Sequence, residues 1–465
     1  MDQILQGLDD EQLAVATALS RPVVIVAGAG TGKTTTITRR IAYAVTSGVY
    51  APEAVLALTF TNRAAAELRE RLEMLGVNDV QARTFHSAAL RQLRHFWPRV
   101  TGFALPEILS NNSELIARAI AEHGIEPTQT LLRDVGTEIT WAKTSNVTWA
   151  LYPERAVVTG RQVLGATPEM IANIWRTYER AKRAKVVMDF DDVLLTCAAM
   201  LHRFPEVAEE VSRSYRHFSV DEFQDVSGIQ CALLLLWLGG NEDICVVGDS
   251  AQTIHTFAGA DQSFLNNFTQ YYPSAERFEL TRNYRSRTEI TALANRFAAT
   301  WPDSIAAVKL VSERGDGGAV TLRGADTPNA ELQQLLSWLQ TLAAKGRDWN
   351  KFAVLTRTHQ QLDAVYQMLQ AARIPVYRKD DGDAGAYGVA LVTMHSAKGL
   401  EWECVAVVGV NEGNLPHPLA STATQLAEEG RLLYVALTRA CDQLLVSWVA
   451  GSGNSCSRFL APLSE

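Results

Sequence analysis

The sequence lacks the features of a membrane, secreted or zinc-binding protein. Its longest apolar run, CALLLLWLGG at residues 231–240, is too short to span a bilayer. The N-terminal stretch MDQILQGLDDEQ has no apolar signal core, so no secretory leader is indicated. The six cysteines form no CxxC pair, which argues against a zinc site and a disulfide framework. We therefore expect a protein of a reducing, cytoplasmic compartment without membrane contact.

The sequence also lacks an excess of basic residues. It has 43 lysines and arginines against 51 acidic residues, a net charge of −8. Proteins that coat nucleic acid through charge alone are basic, so any nucleic-acid contact here must come from a local groove. Internal repeats and low-complexity tracts are absent as well. With 465 residues the chain exceeds one ordinary hydrophobic core, and we expect two to four domains.

Hydrophobic periodicity divides the chain into zones. Residues 20–100 alternate strand-like runs such as VVIVAG and VLALTF with helix-like runs, which is the rhythm of a parallel sheet. Residues 101–185 carry helical periodicity without strong strands and predict a helical insertion. Strand-like runs then resume in FSVDEF, ICVVGD and RFEL, and a second α/β zone follows with FAVLTR, ALVTMH, CVAVVGV and LLVSWV. Glycine-bearing stretches at 312–318 and 379–388 predict loops.

A glycine-rich turn, AGAGTGKT at residues 27–34, stands between a strand-like and a helix-like run. The strict phosphate-loop (P-loop) pattern has glycine where Ala27 stands and is otherwise matched by Gly28, Gly30, Gly32, Lys33 and Thr34. Glycines let backbone N–H groups curl around phosphate oxygens, and the helix N-terminus adds positive potential. Lys33 is expected to reach the β- and γ-phosphates, and Thr34 to bind Mg²⁺. The predicted cradle comprises Ala29, Gly30, Thr31, Gly32, Lys33, Thr34 and Thr35.

Three acids lie within five positions of VDEFQD, directly after a strand-like run. A P-loop needs a second metal ligand from a neighbouring strand end, and Mg²⁺ prefers carboxylate oxygen. Asp221 is therefore expected to complete the metal site. Glu222, the next residue, is expected to polarise the attacking water.

Nine motifs follow one another along the chain: AGAGTGKT, LTFTNRAAAELRER, TFHS, MDFDDVLL, VDEFQD, VVGDSAQTIHTFAGA, LTRNYRS, TMHSAKGLEW and EEGRLLYVALTRA. This ordered set resembles the superfamily 1 DNA helicases of the UvrD/Rep/PcrA type, from Leu8 to about Leu445. The resemblance implies an α/β fold of two tandem RecA-like P-loop domains with one helical insertion in the first, ATP between the domains and single-stranded DNA across them. The expected boundaries are 1–100 with 186–284 for the first RecA-like domain, 101–185 for the insertion and 285–465 for the second domain.

The resemblance also implies roles for single residues of the nucleotide site. Gln12 would read the adenine edge, Tyr284 would stack on the base and Glu401 would bind the ribose. Gln252 would sense the γ-phosphate, and Gln224 would link the nucleotide site to the DNA groove. Contacts to the γ-phosphate would come from Arg285 and Arg439. Arginines in this role are worth roughly 10³ to 10⁵ in rate.

Sequence-tolerant binding of a single strand requires aromatic platforms and backbone contacts. The candidate platforms are Phe60, Phe85, His86, His255, Phe257 and Trp402. The candidate contacts to phosphate or sugar are Thr61, Asn62, Arg357 and Thr393. The alternative for each ring is packing in the core, and for Trp402 stacking on DNA and core packing are equally favoured. The basic run RQLRHFWPR at 91–99 either attracts nucleic acid or is a solvated helix face.

The chain departs from the family pattern at three places. Thr35 stands where the family usually has an arginine against the adenine. His255 and Ala258 stand where a tyrosine and an arginine are usual. Only 35 residues, 358–392, occupy an interval in which UvrD-type enzymes carry a whole inserted domain, called 2B. The chain also ends soon after the last motif, so we expect a reduced motor of two RecA-like domains and one helical insertion.

These patterns predict an ATP- and Mg²⁺-dependent 3′-to-5′ DNA helicase or translocase that acts in DNA repair or replication. Its expected partners are single-stranded DNA and junctions of single- and double-stranded DNA. The alternative is a DNA-binding ATPase subunit of a nuclease or defence complex that does not unwind alone. In that case a protein partner would supply the function of the missing 2B domain and C-terminal tail.

Overall fold

The computed structural model describes residues 2–19, 21–301, 307–378, 387–451 and 453–463. It has parallel sheets flanked by helices, which confirms the predicted fold class. Of the predicted loop at 379–388, only the last two residues lie within the described part of the chain. By its internal contacts the chain divides into two compact units. The first comprises Met1–Ile25, Thr34–Gly248 and His255–Phe278, and the second comprises Val26–Lys33, Asp249–Ile254 and Glu279–Glu465.

The N-terminal part of the chain builds a six-stranded sheet of order β3-β2-β6-β7-β1-β8. Its strands are β1 (Val23–Ala27), β2 (Val55–Thr59), β3 (Gln81–Thr84), β6 (His217–Val220), β7 (Ile244–Gly248) and β8 (Glu276–Leu280). The pairs β2–β3, β2–β6 and β6–β7 are parallel. Every residue of β1, β2 and β7 is buried, as expected for strands covered on both faces.

Helices accompany this sheet, and α4 and α5 begin within a few residues of the ends of β2 and β3. They are α1 (Asp2–Leu5), α2 (Asp10–Thr17), α3 (Lys33–Thr46), α4 (Asn62–Met74), α5 (Phe85–Thr101), α10 (Asp192–Arg203), α11 (Pro205–Ser214), α12 (Gly228–Leu238), α13 (Ser263–Asn266) and α14 (Phe268–Tyr271). Threonines start α4 and α5: Thr61 Oγ1 accepts from Ala64 N–H at 3.1 Å, and Thr84 Oγ1 from Ser87 N–H at 3.1 Å. These caps place the predicted motif residues at the carboxyl ends of parallel strands, where α/β sheets bind ligands.

A helical segment interrupts the sheet, as the periodicity of residues 101–185 predicts. It contains α6 (Ser113–Glu122), α7 (Gln129–Thr144), α8 (Tyr152–Val158) and α9 (Pro168–Lys185), and the short parallel pair β4 (Glu107–Ile108) and β5 (Val187–Met188). Its helices share a hydrophobic core of their own, built around side chains such as Ile139, Tyr152 and Trp175.

The second unit contains a six-stranded sheet of order β11-β16-β15-β12-β14-β13, with parallel pairing throughout. Its strands are β11 (Ala319–Ala325), β12 (Phe352–Thr356), β13 (Val376–Arg378), β14 (Val389–Thr393), β15 (Trp402–Val407) and β16 (Ala440–Val449). The helices are α15 (Thr288–Ala298), α16 (Pro328–Ala344), α17 (His359–Ala371) and α18 (Ala423–Leu437). A short parallel pair joins β9 (Arg282–Asn283) to β10 (Val311–Ser312).

The six cysteines are all free thiols. Cys197, Cys245 and Cys404 are buried, and the other three are half-buried. Burial raises the pKa of every one of them, to about 11 for Cys231 and to about 12 for Cys404. Within the part of the chain that the structure describes, no helix is long and apolar enough to cross a membrane.

Candidate nucleotide and nucleic-acid sites

The P-loop forms a turn in which the lysine side chain contacts the carbonyl oxygens at the start of the loop. Lys33 Nζ donates to the carbonyl oxygens of Ala27 at 3.2 Å and Gly28 at 3.3 Å, and Thr31 Oγ1 donates to Gly28 O at 2.9 Å. Gly30 has φ +70°, a left-handed conformation that favours glycine. A Cβ at Gly30 would also lie 2.7 Å from the Cβ of Arg285. Both the backbone conformation and this close approach therefore require glycine at position 30.

The segment after β8 supports the P-loop within the second unit. Asn283 Nδ2 donates to Ala29 O at 2.6 Å, and Tyr284 N–H donates to Gly30 O at 2.9 Å. Tyr284 is 43% exposed. Arg285 Nε donates to the carboxylate of Glu401, and its Nη1 donates to Thr438 O at 3.3 Å. In this conformation Glu401, the predicted ribose ligand, is thus the ion-pair partner of Arg285.

Gln252 and Arg439, which are 187 positions apart in the chain, meet in the second unit. Gln252 Nε2 donates to Asp249 Oδ2 at 2.7 Å, and Gln252 Oε1 accepts from Arg439 Nη2 at 3.0 Å. Arg439 is 1% exposed and also donates to the carbonyl oxygens of Val435 and Leu400. The amide and guanidinium that sequence assigns to the γ-phosphate are therefore already adjacent and held in place.

The predicted metal ligands are neighbours in the first unit. Thr34 Oγ1 lies 3.4 Å from Asp221 Oδ2, so a hydroxyl and a carboxylate oxygen are presented together. This donor set suits Mg²⁺, which takes hard oxygen ligands and keeps several waters. The structure is thus compatible with the expected ion, and Thr34 and Asp221 are the residues that would hold it.

Glu222 has an unusual backbone for a residue other than glycine. Its φ of 52° and ψ of 44° are left-handed, and its N–H donates to Asp221 Oδ1 at 2.9 Å. Gln224 Nε2 donates to Glu222 Oε2 at 2.6 Å, and Gln224 itself is fully buried. This glutamine therefore orients the Glu222 carboxylate, which gives a physical reason for an amide between the acids of VDEFQD.

The two predicted adenine-side residues have partners inside the protein. Gln12 is 5% exposed, and its Oε1 accepts from Asp9 N–H at 3.4 Å in the capping box of α2. Thr35 Oγ1, at the position of the usual family arginine, accepts from Arg71 Nη1 at 3.4 Å. A guanidinium from α4 thus lies beside Thr35 although the chain lacks an arginine at that position.

Three rings form the exposed face predicted for nucleic acid. Phe60 is 46% exposed and stacks on His255, with ring centroids 5.6 Å apart and planes 13° apart. Phe257 is 47% exposed, and its centroid lies 6.0 Å from that of His255. Thr61 and Asn62 are exposed next to Phe60 at the start of α4. We call Phe60, His255 and Phe257 the aromatic row.

Two predicted DNA platforms lie in the core instead. Phe85 is 4% exposed and stacks on Trp237 at 5.9 Å, so its ring offers no open face to a base. Trp402 is 9% exposed and packs in the core beside the second sheet, which agrees with the packing alternative. Both positions correct the sequence interpretation, because a ring after a strand can turn inward as readily as outward.

His86 has a neighbour that the motif interpretation missed. It stacks on Phe190 with centroids 4.1 Å apart, and Phe190 is 58% exposed. Burial lowers the pKa of His86 to about 4, so the imidazole is neutral at physiological pH. Phe190 stands within MDFDDVLL, one of the nine motifs, but nothing in that motif marked its ring as a partner of His86.

Two further DNA candidates, both in the second unit, are engaged internally. Arg357 makes a bidentate pair with Glu429, at 2.7 and 3.0 Å, and its side chain is only 19% exposed. Thr393 is 6% exposed and donates to Ser396 Oγ at 3.0 Å. A phosphate contact from Arg357 would require this ion pair to open.

Comparison with known proteins places the chain in a family. The description "UvrD/REP helicase N-terminal domain" matches residues 8–273, and "UvrD-like helicase C-terminal domain" matches residues 278–383 and 377–451. The ATP-dependent DNA helicase UvrD2 of Mycobacterium tuberculosis is 33% identical over 555 residues, covering 96% of this chain and 79% of the relative. UvrD1 of the same organism is 31% identical, and PcrA of Bacillus subtilis is 30% identical; each match covers 80% of this chain and 50% of the relative. The chain therefore belongs to the UvrD/REP helicase family.

Proposed function

We propose that this protein is an ATP-dependent DNA helicase or translocase that moves 3′ to 5′ along single-stranded DNA in DNA repair or replication. The observation that carries the proposal is the arrangement at the end of β6, where Asp221 faces Thr34 and Gln224 orients Glu222. Support comes from the relatives named as ATP-dependent DNA helicases, which are 30–33% identical to this chain.

The residues divide the chemistry of phosphoryl transfer among them. Lys33 and the P-loop N–H groups bind the phosphates, and Thr34 with Asp221 would hold Mg²⁺. The ion, when bound, neutralises charge between the β- and γ-phosphates. Glu222 accepts the proton of the attacking water, because Gln224 holds one of its oxygens and fixes the direction of the carboxylate.

Gln252 and Arg439 supply the polar groups for the γ-phosphate. Their mutual hydrogen bond and the Asp249 contact fix both side chains before a nucleotide arrives, so little reorganisation is needed during reaction. Arg285 acts as the second arginine, and exchanging Glu401 for phosphate would release it from its present pair. Tyr284 stacks on the adenine and Gln12 reads its edge in this proposal.

The aromatic row binds single-stranded DNA by stacking. Phe60 and Phe257 each expose nearly half of their surface, and stacking on such rings is worth about 1–3 kcal/mol per base without sequence preference. Thr61 and Asn62 contact the backbone beside the row. Strand and junction recognition then depends on a local face, which agrees with a chain whose net charge is −8.

The domain order that we propose is the reduced one, without a 2B insertion. The alignment with UvrD2 runs over 555 residues, whereas 96% of this chain is about 446 residues, so roughly 100 positions of that relative have no counterpart here. The C-terminal family match also breaks into two pieces within the interval 358–392. The same observation favours a second candidate, an ATPase subunit that needs a nuclease or repair partner to unwind.

ATP turnover with and without single-stranded DNA tests the proposal. DNA should raise turnover strongly in the purified protein, and Lys33→Ala should lower it by at least about 100-fold, because the phosphates lose their ammonium partner. Lys345→Ala, at an exposed residue after α16, is the matched control and should leave turnover unchanged. Turnover that is indifferent to DNA would contradict the motor function.

Strand displacement separates the two candidates. A helicase that works alone should open a duplex with a 3′ tail and leave blunt and 5′-tailed duplexes closed. DNA-stimulated turnover without displacement of any substrate would instead support the partner-dependent ATPase. Opening of the 5′-tailed duplex would contradict the proposed polarity.

A further inference from the structure

Four arginines on three successive elements of the first unit border one groove. A cavity of about 320 Å³ is lined by Asn62, Arg69, Gln81, Arg83 and Ser87 together with small apolar side chains. A second cavity, of about 450 Å³, is lined by Arg83, Ser87, Leu90, Arg91 and Arg94. Arg83 and Ser87 line both cavities, so the two are adjacent. We call this the arginine groove.

The arginines of this groove have only neutral partners among the described residues. Arg83 donates from Nε and Nη2 to Gln81 Oε1, and Arg91 Nη1 donates to the same oxygen at 3.2 Å. Arg69 Nε donates to Ala65 O at 3.4 Å. No carboxylate of the described chain lies within ion-pair distance of Arg69, Arg83, Arg91 or Arg94. Two guanidinium groups, those of Arg83 and Arg91, thus converge on one amide oxygen without an ion-paired carboxylate among the described residues.

The electrostatics of the groove favour an external anion. Burial lowers the pKa of Arg83, and the neighbouring charges of Arg91 and Arg69 lower it further, against an opposing contribution from Tyr215. Arg69, Arg91 and Arg94 are exposed and Arg83 is half-buried, so a ligand can reach all four. In a protein with net charge −8, such an uncompensated cluster is a local exception.

The groove adjoins the proposed DNA path. Asn62 lines its first cavity and is separated from Phe60, a member of the aromatic row, by one residue. Ser87 belongs to TFHS, the motif that carries His86. A strand lying on the aromatic row can therefore pass Asn62 directly into the groove. Four cations spread over two adjacent cavities suit a polyanion with repeating phosphates better than a small single anion.

We propose that the arginine groove binds the phosphodiester backbone of single-stranded DNA that extends beyond the aromatic row. The inference rests on the proposed function, since it places the neighbouring strand on Phe60. It adds a second set of contacts that are purely electrostatic, so they carry no sequence preference. Long strands then bind more tightly than short ones, and the gain is sensitive to salt.

The double variant Arg91→Gln/Arg94→Gln tests the groove with little risk to folding, because both side chains are exposed on α5. Fluorescence anisotropy would compare labelled oligothymidylates of about 8 and about 30 nucleotides over a range of salt. The longer oligonucleotide should bind more weakly to the variant, and the slope of log affinity against log salt should fall by about 1.4, or 0.7 per lost phosphate contact. Binding of the shorter one and turnover without DNA should not change.

The matched control is Arg118→Gln/Arg213→Gln, which removes the same charge from exposed arginines paired with Glu114 and Glu209. An unchanged salt slope in the groove variant, or an equal fall in the control, would overturn the proposal. Unchanged DNA binding together with lost binding of polyglutamate would assign the groove to an acidic protein segment and would overturn it too. Failure of the wild type to bind any oligonucleotide would instead contradict the proposed function itself.

Discussion

Long cationic side chains occur in two contrasting settings in the first unit. In the helical segment, Lys143 and Lys182 are each 2% exposed and lie 2.6 and 2.8 Å from one oxygen of Asp189. Glu179 and Asp192 complete the group, with contacts of 2.5–2.9 Å to both ammonium groups. The arginine groove has four cations, and none of them forms an ion pair with a carboxylate of the described chain. The two buried lysines therefore receive their counter-charge from the chain, whereas the four groove arginines, unlike exposed arginines such as Arg118 and Arg213, form no ion pair within the described chain.

The carboxylates of Glu179, Asp189 and Asp192 resemble a metal site but are not organised as one. Oxygens of Glu179, Asp189 and Asp192 lie within 4.8 Å of one another, a spacing that suits a cation. The two lysine ammonium groups contact all three carboxylates and take the place of a cation. Tyr178 also donates its hydroxyl to Asp189 at 2.8 Å, so the group is a closed structural network.

The largest effect should come from removing one buried cation. Lys143→Met should lower the free energy of unfolding by about 3–5 kcal/mol, because three carboxylates would share the single remaining ammonium. Urea denaturation followed by circular dichroism measures the change. Lys185→Met, at the exposed end of α9, is the control and should cost little. If Lys143→Met lowered the free energy of unfolding by less than about 1 kcal/mol, the buried lysines would not be needed to balance the carboxylates, and the contrast with the arginine groove would be contradicted.

A smaller effect should follow from pH. The ammonium groups hold the pKa of Asp189 and of Glu179 below their ordinary values against the opposing effect of burial, and the carboxylates raise that of Lys143. The carboxylates with lowered pKa values stabilise the fold fully above about pH 4, and this stabilisation is lost as the pH falls further. The lysine with a raised pKa stabilises the fold fully below about pH 10, and this stabilisation is lost as the pH rises further.

Urea denaturation between pH 2 and pH 7 checks this sign, with pH values chosen around the ordinary carboxyl pKa of about 4. The wild type should lose stability steeply below about pH 4, and Asp189→Asn should show a shallower dependence. Glu114→Gln, which removes an exposed acid of the same segment, should follow the wild type. Equal slopes for Asp189→Asn and the wild type would contradict the assigned role of the network.

The smallest effect should come from an arginine that already has a partner. Arg99, on the same helix as Arg91, pairs with Glu210 through both terminal nitrogens at 3.2 Å. Arg99→Gln should leave the salt slope of DNA binding unchanged and shift the melting temperature by no more than about 2 °C, since exposed pairs contribute little. A fall in slope like that of the groove variant would mean that pairing does not separate the two kinds of arginine.

Strand positions and motif positions could be predicted from sequence, because both depend on local patterns. Runs such as VVIVAG and VLALTF became β1 and β2, and the VDEFQD motif came directly after β6. The strand β11 is missing from the candidates because it lies at a sheet edge and mixes exposed and buried residues without alternation. Its place in the sheet depends on pairing with β16, a partner more than 100 residues away.

The direction of a side chain was harder to predict than its position. Phe60 and Phe85 both directly follow a threonine at a strand end, yet Phe60 is 46% exposed and Phe85 is 4% exposed. Trp237 on α12 decides the orientation of Phe85, and nothing near position 85 in the sequence marks it. The ion pair of Arg357 with Glu429 likewise joins residues 72 positions apart, so it could not be predicted from the local sequence. The arginine groove needed the same long-range information, since only the folded chain brings Arg69 and Arg83 to the basic run of α5.

The burial of the native thiols determines how this protein can be labelled with dyes to follow its movement. Three of the six are buried and three are half-buried, and their raised pKa values keep all of them protonated at neutral pH, which lowers their reactivity. One cysteine engineered onto an open surface would therefore react with a maleimide dye far faster than any native one. A dye that reports movement along a DNA strand can then be attached without first replacing the native cysteines.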